Sequence, residues 1–142
     1  MIYLKIQTLD KGWHDKDEIL LHAAFQLLAD FVEKERPDKI VDWNANGLHR
    51  HTWKEIKSLY KWWKEIRPAR QSPIDDKKLK KPPFKFKKMP DSEFYRIVEP
   101  DNKKFAAYYR ALEKHRRLEG KWYEEDRRNF HRLIEIRGFL WT

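Results

Sequence analysis

Lys11–Glu35 reads KGWHDKDEILLHAAFQLLADFVEKE, and its apolar spacing decides the fold class. Ile19, Leu20, Ala23, Ala24, Leu27, Leu28, Phe31 and Val32 recur at helical intervals, and Pro37 ends the run. The pattern predicts a helix over Asp15–Arg36. Asp15, Asp17 and Glu18 crowd its first turn, where carboxylates favour the positive end of the helix dipole, and Trp13 is expected to pack over that opening.

Outward from this helix, Asn44, Asn46 and Gly47 supply turn chemistry. A second helix is predicted from Leu48 to Ile66, with Trp53, Ile56, Leu59, Tyr60, Trp63 and Ile66 on one side, closed by Pro68. Residues 67–90 have no apolar periodicity and read as an extended arm. DSEFYRIVEP (Asp91–Pro100) reads as a helical turn opened by Asp91 or Ser92. A third helix is expected over Asn102–Leu118, burying Phe105, Tyr108, Tyr109 and Leu112. A break follows at Gly120, and a fourth helix over Tyr123–Phe139 carries Phe130, Leu133 and Ile134. Met1–Leu9 alternates weakly, as a short strand or an extended segment packed on the body. The expectation is one all-α domain over 1–142. It is a bundle of about four helices, with a long basic Lys/Pro-rich crossover and a short extended N-terminal segment.

The 142 residues are enough to bury a core. No apolar run reaches a membrane span, and the charged N-terminus lacks a signal core. Without cysteine there is no disulfide, thiolate zinc site or cysteine nucleophile, and a reducing setting fits. Net charge is +9, and residues 67–90 hold +7 of it: nine Lys/Arg against Asp75 and Asp76. Five of the seven prolines lie there too, so the basic character is local.

The opening stretch returns in outline as KWYEEDRRNFHRLIEIRGFLW, Lys121–Trp141. Matching Trp13 to Trp122 sets Asp15 on Glu124, Asp17 on Asp126, Leu21 on Phe130 and His22 on His131. As a duplicated metal set this fails on spacing. Seven helical residues span about 10.5 Å, whereas a metal holds its ligands about 2 Å away. The chelating pair in the first copy is Glu18 with His22, and Arg127 replaces the glutamate in the second. Glu18, His22 and His131 are therefore weak metal candidates, and no cofactor is expected. The repeat reads as two similar helix openings with equivalent places in the bundle. Ser58, Ser72 and Ser92 lack a nucleophile-elbow context, no Gly-rich phosphate loop exists, and His14–Asp15 lacks the second pair a metal phosphohydrolase needs.

Two constellations point instead to binding. Trp62 and Trp63 lie about 100° apart on a helix and are not expected to be central together. Trp62 is placed near the surface, where it stacks on a base, anchors a protein or lies under the arm. DDKKLKKPPFKFKKMP interleaves lysines with Phe84 and Phe86. Lysines neutralise phosphates and aromatic rings stack on unpaired bases, though a solvated arm or one docked on acidic protein has the same composition. The candidate contacts are Arg67, Arg70, Lys77, Lys78, Lys80, Lys81, Lys85, Lys87 and Lys88, with Phe84, Phe86 and Trp62.

WHDKDEILLHAAFQLLADFVEKE, LYKWWKEIRPAR and HRLIEIRGFLWT, about half the chain, resemble a family of small tailed-bacteriophage proteins that carries no assigned activity. The resemblance implies a viral origin and a place in the virion or the host cytoplasm, and it transfers no catalytic residue. The Lys/Pro arm lies outside it. The resulting expectation is a non-enzymatic phage protein that binds a nucleic-acid-containing assembly through its basic aromatic arm. The alternatives are a protein-binding virion component or anti-defence inhibitor of a host complex, and a metal-dependent helical hydrolase. A phage or host protein partner fits either binding reading, and no membrane partner is expected.

Overall fold

The structure, a computed structural model, describes residues 3–140 and is mostly helical. Helix α1 spans Lys16–Lys34, α2 Pro37–Ile40 and α3 Gly47–Lys61, the last continued by a π turn at Trp62–Ile66 and a 3-10 turn at Arg67–Ala69. After a short 3-10 turn at Pro73–Asp75 come β1 (Phe86–Lys88) and β2 (Tyr95–Ile97), then α4 (Ala106–Ile136) and a last 3-10 turn, Arg137–Phe139. Two compact units result: Met1–Arg70 with Tyr123–Thr142, and Gln71–Trp122.

The first unit holds the core, built on Phe25, Leu28, Phe31, Trp43, Ile56, Leu59, Trp62, Trp63, Leu133 and Ile136. On α1 the buried stripe runs His22, Phe25, Gln26, Leu28 and Ala29, while Ile19, Leu20 and Leu27 face outward. The helix is apolar over more than half its circumference, so periodicity alone offered two stripes. Phe25 settles which one turns inward, because Trp63 stacks on it (4.7 Å, 17° between planes) and Trp62 meets it edge-on at 5.2 Å. Large aromatic pairs gain about 0.5–1.5 kcal/mol beyond area burial.

Both tryptophans are buried, Trp62 at 5% exposure and Trp63 at 4%, so Trp62 is not a surface group. Residues 100° apart are both covered when neighbours pack on two sides. Here α1 takes Trp63 and the C-terminal half of α4 takes Trp62, whose indole N–H donates to Glu125 (2.6 Å). The π turn contributes as well: the Arg67 N–H reaches back to the Trp62 carbonyl, one residue further than an α bond.

Helix boundaries follow local chemistry. Asn46 caps α3 by accepting from the His49 N–H (2.9 Å). Arg36 turns left-handed (φ 50°) ahead of Pro37, which disfavours α geometry in the residue before it. Trp43 then donates to the Pro37 carbonyl (3.0 Å) and stacks on Trp53 at 5.0 Å. At the start of α1, Trp13 is 86% exposed rather than packed over the helix opening, and Asp15 makes no side-chain cap bond. Of the N-terminal alternation, Met1 and Ile2 lie outside the described residues. The rest is no strand: residues 3–6 have no regular structure and Gln7–Leu9 turn against α1, with Gln7 N–H donating to Gln26 (3.1 Å) and Thr8 Oγ1 bonded to His22 Nδ1 (2.6 Å).

Two expectations fail in the last third. The helix predicted to break at Gly120 is continuous as α4, 31 residues long. An interior glycine costs about 1 kcal/mol relative to alanine, and the Ala, Leu, Glu, Lys and Arg around it outweigh that. DSEFYRIVEP is not a helical turn. Tyr95, Arg96 and Ile97 pair antiparallel with Lys88, Lys87 and Phe86 to make a hairpin. Aromatic and β-branched residues favour the pleated surface, and the loop Pro90–Glu93 supplies the turn: Asp91 is left-handed (φ 57°) and Ser92 Oγ accepts from the Phe94 N–H (3.0 Å).

Candidate nucleic-acid interface

The duplicated motif does not assemble a site. Trp13–Asp15 precede α1, whereas Trp122–Glu124 lie inside α4, so the second copy is not a helix opening. His22 is buried against the edge of Trp63 (4.9 Å), but His131 is solvent-exposed. Glu18 turns to His14 Nδ1 (3.2 Å) rather than to His22, and Asp10 takes His14 Nε2 at 2.9 Å. These two carboxylates raise the His14 pKa above 6.5, the Asp10 hydrogen bond contributing most. Burial, followed by the charge of Arg67, lowers that of His22. Among the described residues no group of three or more His, Asp or Glu could hold a metal ion.

Three of the predicted contact residues belong to the core-bearing unit. Arg67 grips Asp126 through Nε (3.0 Å) and Nη2 (3.2 Å) and lies over the Trp63 ring at 5.1 Å. Arg70 Nη2 donates to Glu125 (3.0 Å) and Asp126 (2.8 Å), with its guanidinium over Trp62 at 5.8 Å. Burial raises the Asp126 pKa, but the hydrogen bonds and charges of the two arginines outweigh it and hold the carboxyl below its ordinary range. Glu125 is held low chiefly by the Trp62 indole. Arg67, Arg70 and Trp62 are therefore spent on the fold, as is Arg132, which forks onto Glu55 at 2.8 and 2.9 Å.

The remaining candidates lie in the second unit. Lys77, Lys78, Lys80 and Lys81 sit exposed around a turn in which Leu79 N–H donates to the Asp76 carbonyl (3.1 Å) and Lys78 N–H to the Asp76 carboxylate (2.9 Å). Lys85, Lys87 and Lys88 continue into the hairpin, also exposed. None of these seven lysines has a carboxylate within 4.0 Å among the described residues, in contrast to the two arginines beside them.

The hairpin sorts its side chains by pleat. Phe86 faces Ile97, Lys87 faces Arg96 and Lys88 faces Tyr95. Backbone bonds from Val98 to Lys85 (2.8 Å) and from Met89 to Phe94 (2.9 Å) extend the ladder at both ends. Directly opposed residues share a face and successive ones alternate. One face therefore carries Phe86, Lys88, Tyr95 and Ile97, with Phe84 against Phe86 edge-to-face at 5.1 Å. The other carries Lys85, Lys87, Met89, Phe94, Arg96 and Val98. No residue of this unit is fully buried, and Phe84 is 76% and Tyr95 63% exposed.

Lys87 directly opposite Arg96 is a like-charge cross-strand pair, which by itself destabilises a ribbon. Tyr95 and Arg96 are not among the residues the sequence singles out, because their segment reads locally as a helical turn. The signal was there: an alternating run, FKFKK, and an aromatic and β-branched run, FYRIV, on either side of Met-Pro-Asp-Ser-Glu. Among the described residues no helix is long and apolar enough to cross a membrane. The chain matches no protein-family model, no curated protein and no solved structure.

Proposed function

We propose that the protein is a non-enzymatic nucleic-acid-binding protein whose contact surface is the Lys77–Lys88 arm and its hairpin. The observation that carries this is the set of seven exposed lysines that, among the described residues, have no carboxylate partner, whereas Arg67, Arg70 and Arg132 are paired internally. Unpaired cations beside exposed aromatics are the composition that tracks a phosphate backbone. The helical elements are read as a bundle. From the resemblance of its motifs to small tailed-bacteriophage proteins, we propose a virion or a host complex taken over during infection as the setting.

Fluorescence anisotropy of the intact protein with labelled DNA and RNA across a salt series tests it. Affinity falls steeply with salt, and replacing Lys77, Lys78, Lys80 and Lys81 with Gln flattens the log–log slope by about 3 to 4, near 0.7–0.9 per lost phosphate contact. Absent or salt-independent binding by the intact protein refutes the proposal. A second reading, docking on another protein, draws on the exposed Phe84, Phe94, Tyr95 and Ile97. It predicts a captured partner that survives nuclease treatment.

A further inference from the structure

We infer that the amino-terminal half of α4 is a second phosphate-contacting surface, and that the polyanion it meets is a nucleic-acid duplex. The inference rests on the nucleic-acid reading above and adds a contact surface and a class of strand to it. Arg110, Lys114, Arg117 and Lys121 follow one another at i, i+4, i+7 and i+11, so they form a single row along α4. All four are exposed, while Tyr108, Leu112, His115 and Leu118 turn half-buried to the other side. Arg110, Lys114 and Lys121 have no carboxylate within 4.0 Å among the described residues. The two acids of residues 103–121 are already engaged, Glu113 by Arg117 (2.6 Å) and Glu119 by His115 (3.1 Å). Against those two stand seven Lys/Arg, a net +5 that lies outside the arm.

A solvated helix face normally mixes signs, because like charges at i, i+4 destabilise a helix and opposite ones support it. This row sets one cation after another along its whole length, which suits a partner of opposite charge extended beside it. Helix α3 carries a row of the same spacing, Arg50, Lys54, Lys57 and Lys61, but in a different setting. Gln71–Trp122 holds 15 Lys/Arg against 8 Asp/Glu, net +7, whereas the other unit holds 17 against 15. The summed field therefore draws a polyanion to the unit that presents the α4 row. That row spans about 16.5 Å, over which a duplex offers about ten phosphate charges. A helix holds its cations in line and a duplex holds its phosphates in place, so neither is ordered on contact, whereas a flexible single strand loses entropy. The exposed residues beside the row, Ala107, Glu113, Arg116 and Gly120, include no aromatic ring on which an unpaired base stacks.

The test uses the full chain with a fluorescein-labelled DNA duplex of about 20 base pairs, about 68 Å long at 3.4 Å each. One of its strands alone is the second probe. At matched salt the duplex binds tighter than the single strand. Arg110→Gln, Lys114→Gln and Lys121→Gln together flatten the log–log salt slope on the duplex by about 2–3, near 0.9 per lost contact. Lys54→Gln, Lys57→Gln and Lys61→Gln remove the same number of charges from the α3 row and leave the slope unchanged. Gln is a good helix former, and far-UV circular dichroism checks that each variant keeps its helicity. A slope unmoved by the α4 variant, or moved equally by the α3 variant, overturns the inference while the arm proposal stands. Single-strand binding equal to or tighter than duplex binding does the same. Salt-sensitive binding to neither probe sinks both. The duplex-versus-strand comparison needs no variant, so a misfolded mutant cannot decide it.

Discussion

Replacing Gly120 with alanine should stabilise the protein, by an amount the structure allows to be worked out. Gly120 lies inside α4 and is exposed, its φ is not positive, and a Cβ built there meets nothing within 4 Å. No clash or strain therefore opposes the substitution, and the intrinsic preference for alanine over glycine in a helix interior, about 0.8–1.0 kcal/mol, is available nearly in full. With a urea m-value of about 2 kcal/mol/M, the midpoint moves up by roughly 0.4–0.5 M. Thermal melting rises by about 2–5 °C. The assay is urea unfolding of the two proteins followed by far-UV circular dichroism, which should also show no loss of helicity. The alternative arrangement, two helices meeting at Gly120, puts the glycine in a left-handed C-terminal cap, where alanine costs about 1 kcal/mol or more. The sign of the midpoint shift separates the two, and a lowered midpoint refutes the continuous helix.

Asp126→Asn removes the carboxylate that Arg67 and Arg70 share and should cost about 2–3 kcal/mol, read as a lower urea midpoint. Acid stability depends on the same cluster. Asp126, Glu125 and Glu55 all have folded pKa values below their ordinary 3.8 and 4.5. Their contribution is therefore present above those values and lost as pH falls through the lower folded ones, and Asp126→Asn should shallow that acid limb. The two N-terminal histidines should titrate in opposite directions by NMR, His14 above 6.5 and His22 below it, and the reverse order would refute their assigned surroundings. By the same linkage, His22 contributes stability that is present above 6.5 and lost as pH falls, whereas the His14 contribution is present below 6.5 and lost as pH rises through its folded value.

Much of the helical framework was legible residue by residue. Pro37 marked the end of α1, Asn46 and Gly47 the start of α3, and the acidic first turn of α1 is where it was expected. The misreadings share a physical cause, in that a local signal had to be weighed against something distant. Gly120 looked like a break because glycine lowers helix propensity, yet one unfavourable residue does not stop a 31-residue helix. Trp62 looked like a surface group because a lone helix has one buried stripe, whereas this one has neighbours on two sides. The arm lysines were picked out by composition, but Arg67 and Arg70 could not be told from them until Asp126 and Glu125, more than fifty residues away, were seen to hold them.

Composition and periodicity by themselves determined that this chain is mostly helical, free of cysteine chemistry and charged above all in one Pro-rich arm. Those are properties of neighbours along the chain, set by backbone preference and the 3.6-residue repeat. Only the tertiary structure decided which stripe of α1 is core, which cations are neutralised, and that FKFKK and FYRIV pair into a ribbon. Each of those depends on which groups meet across the fold. Burial, ion pairing and strand register are energies of contact between segments far apart in sequence, and a short-range pattern carries no record of them.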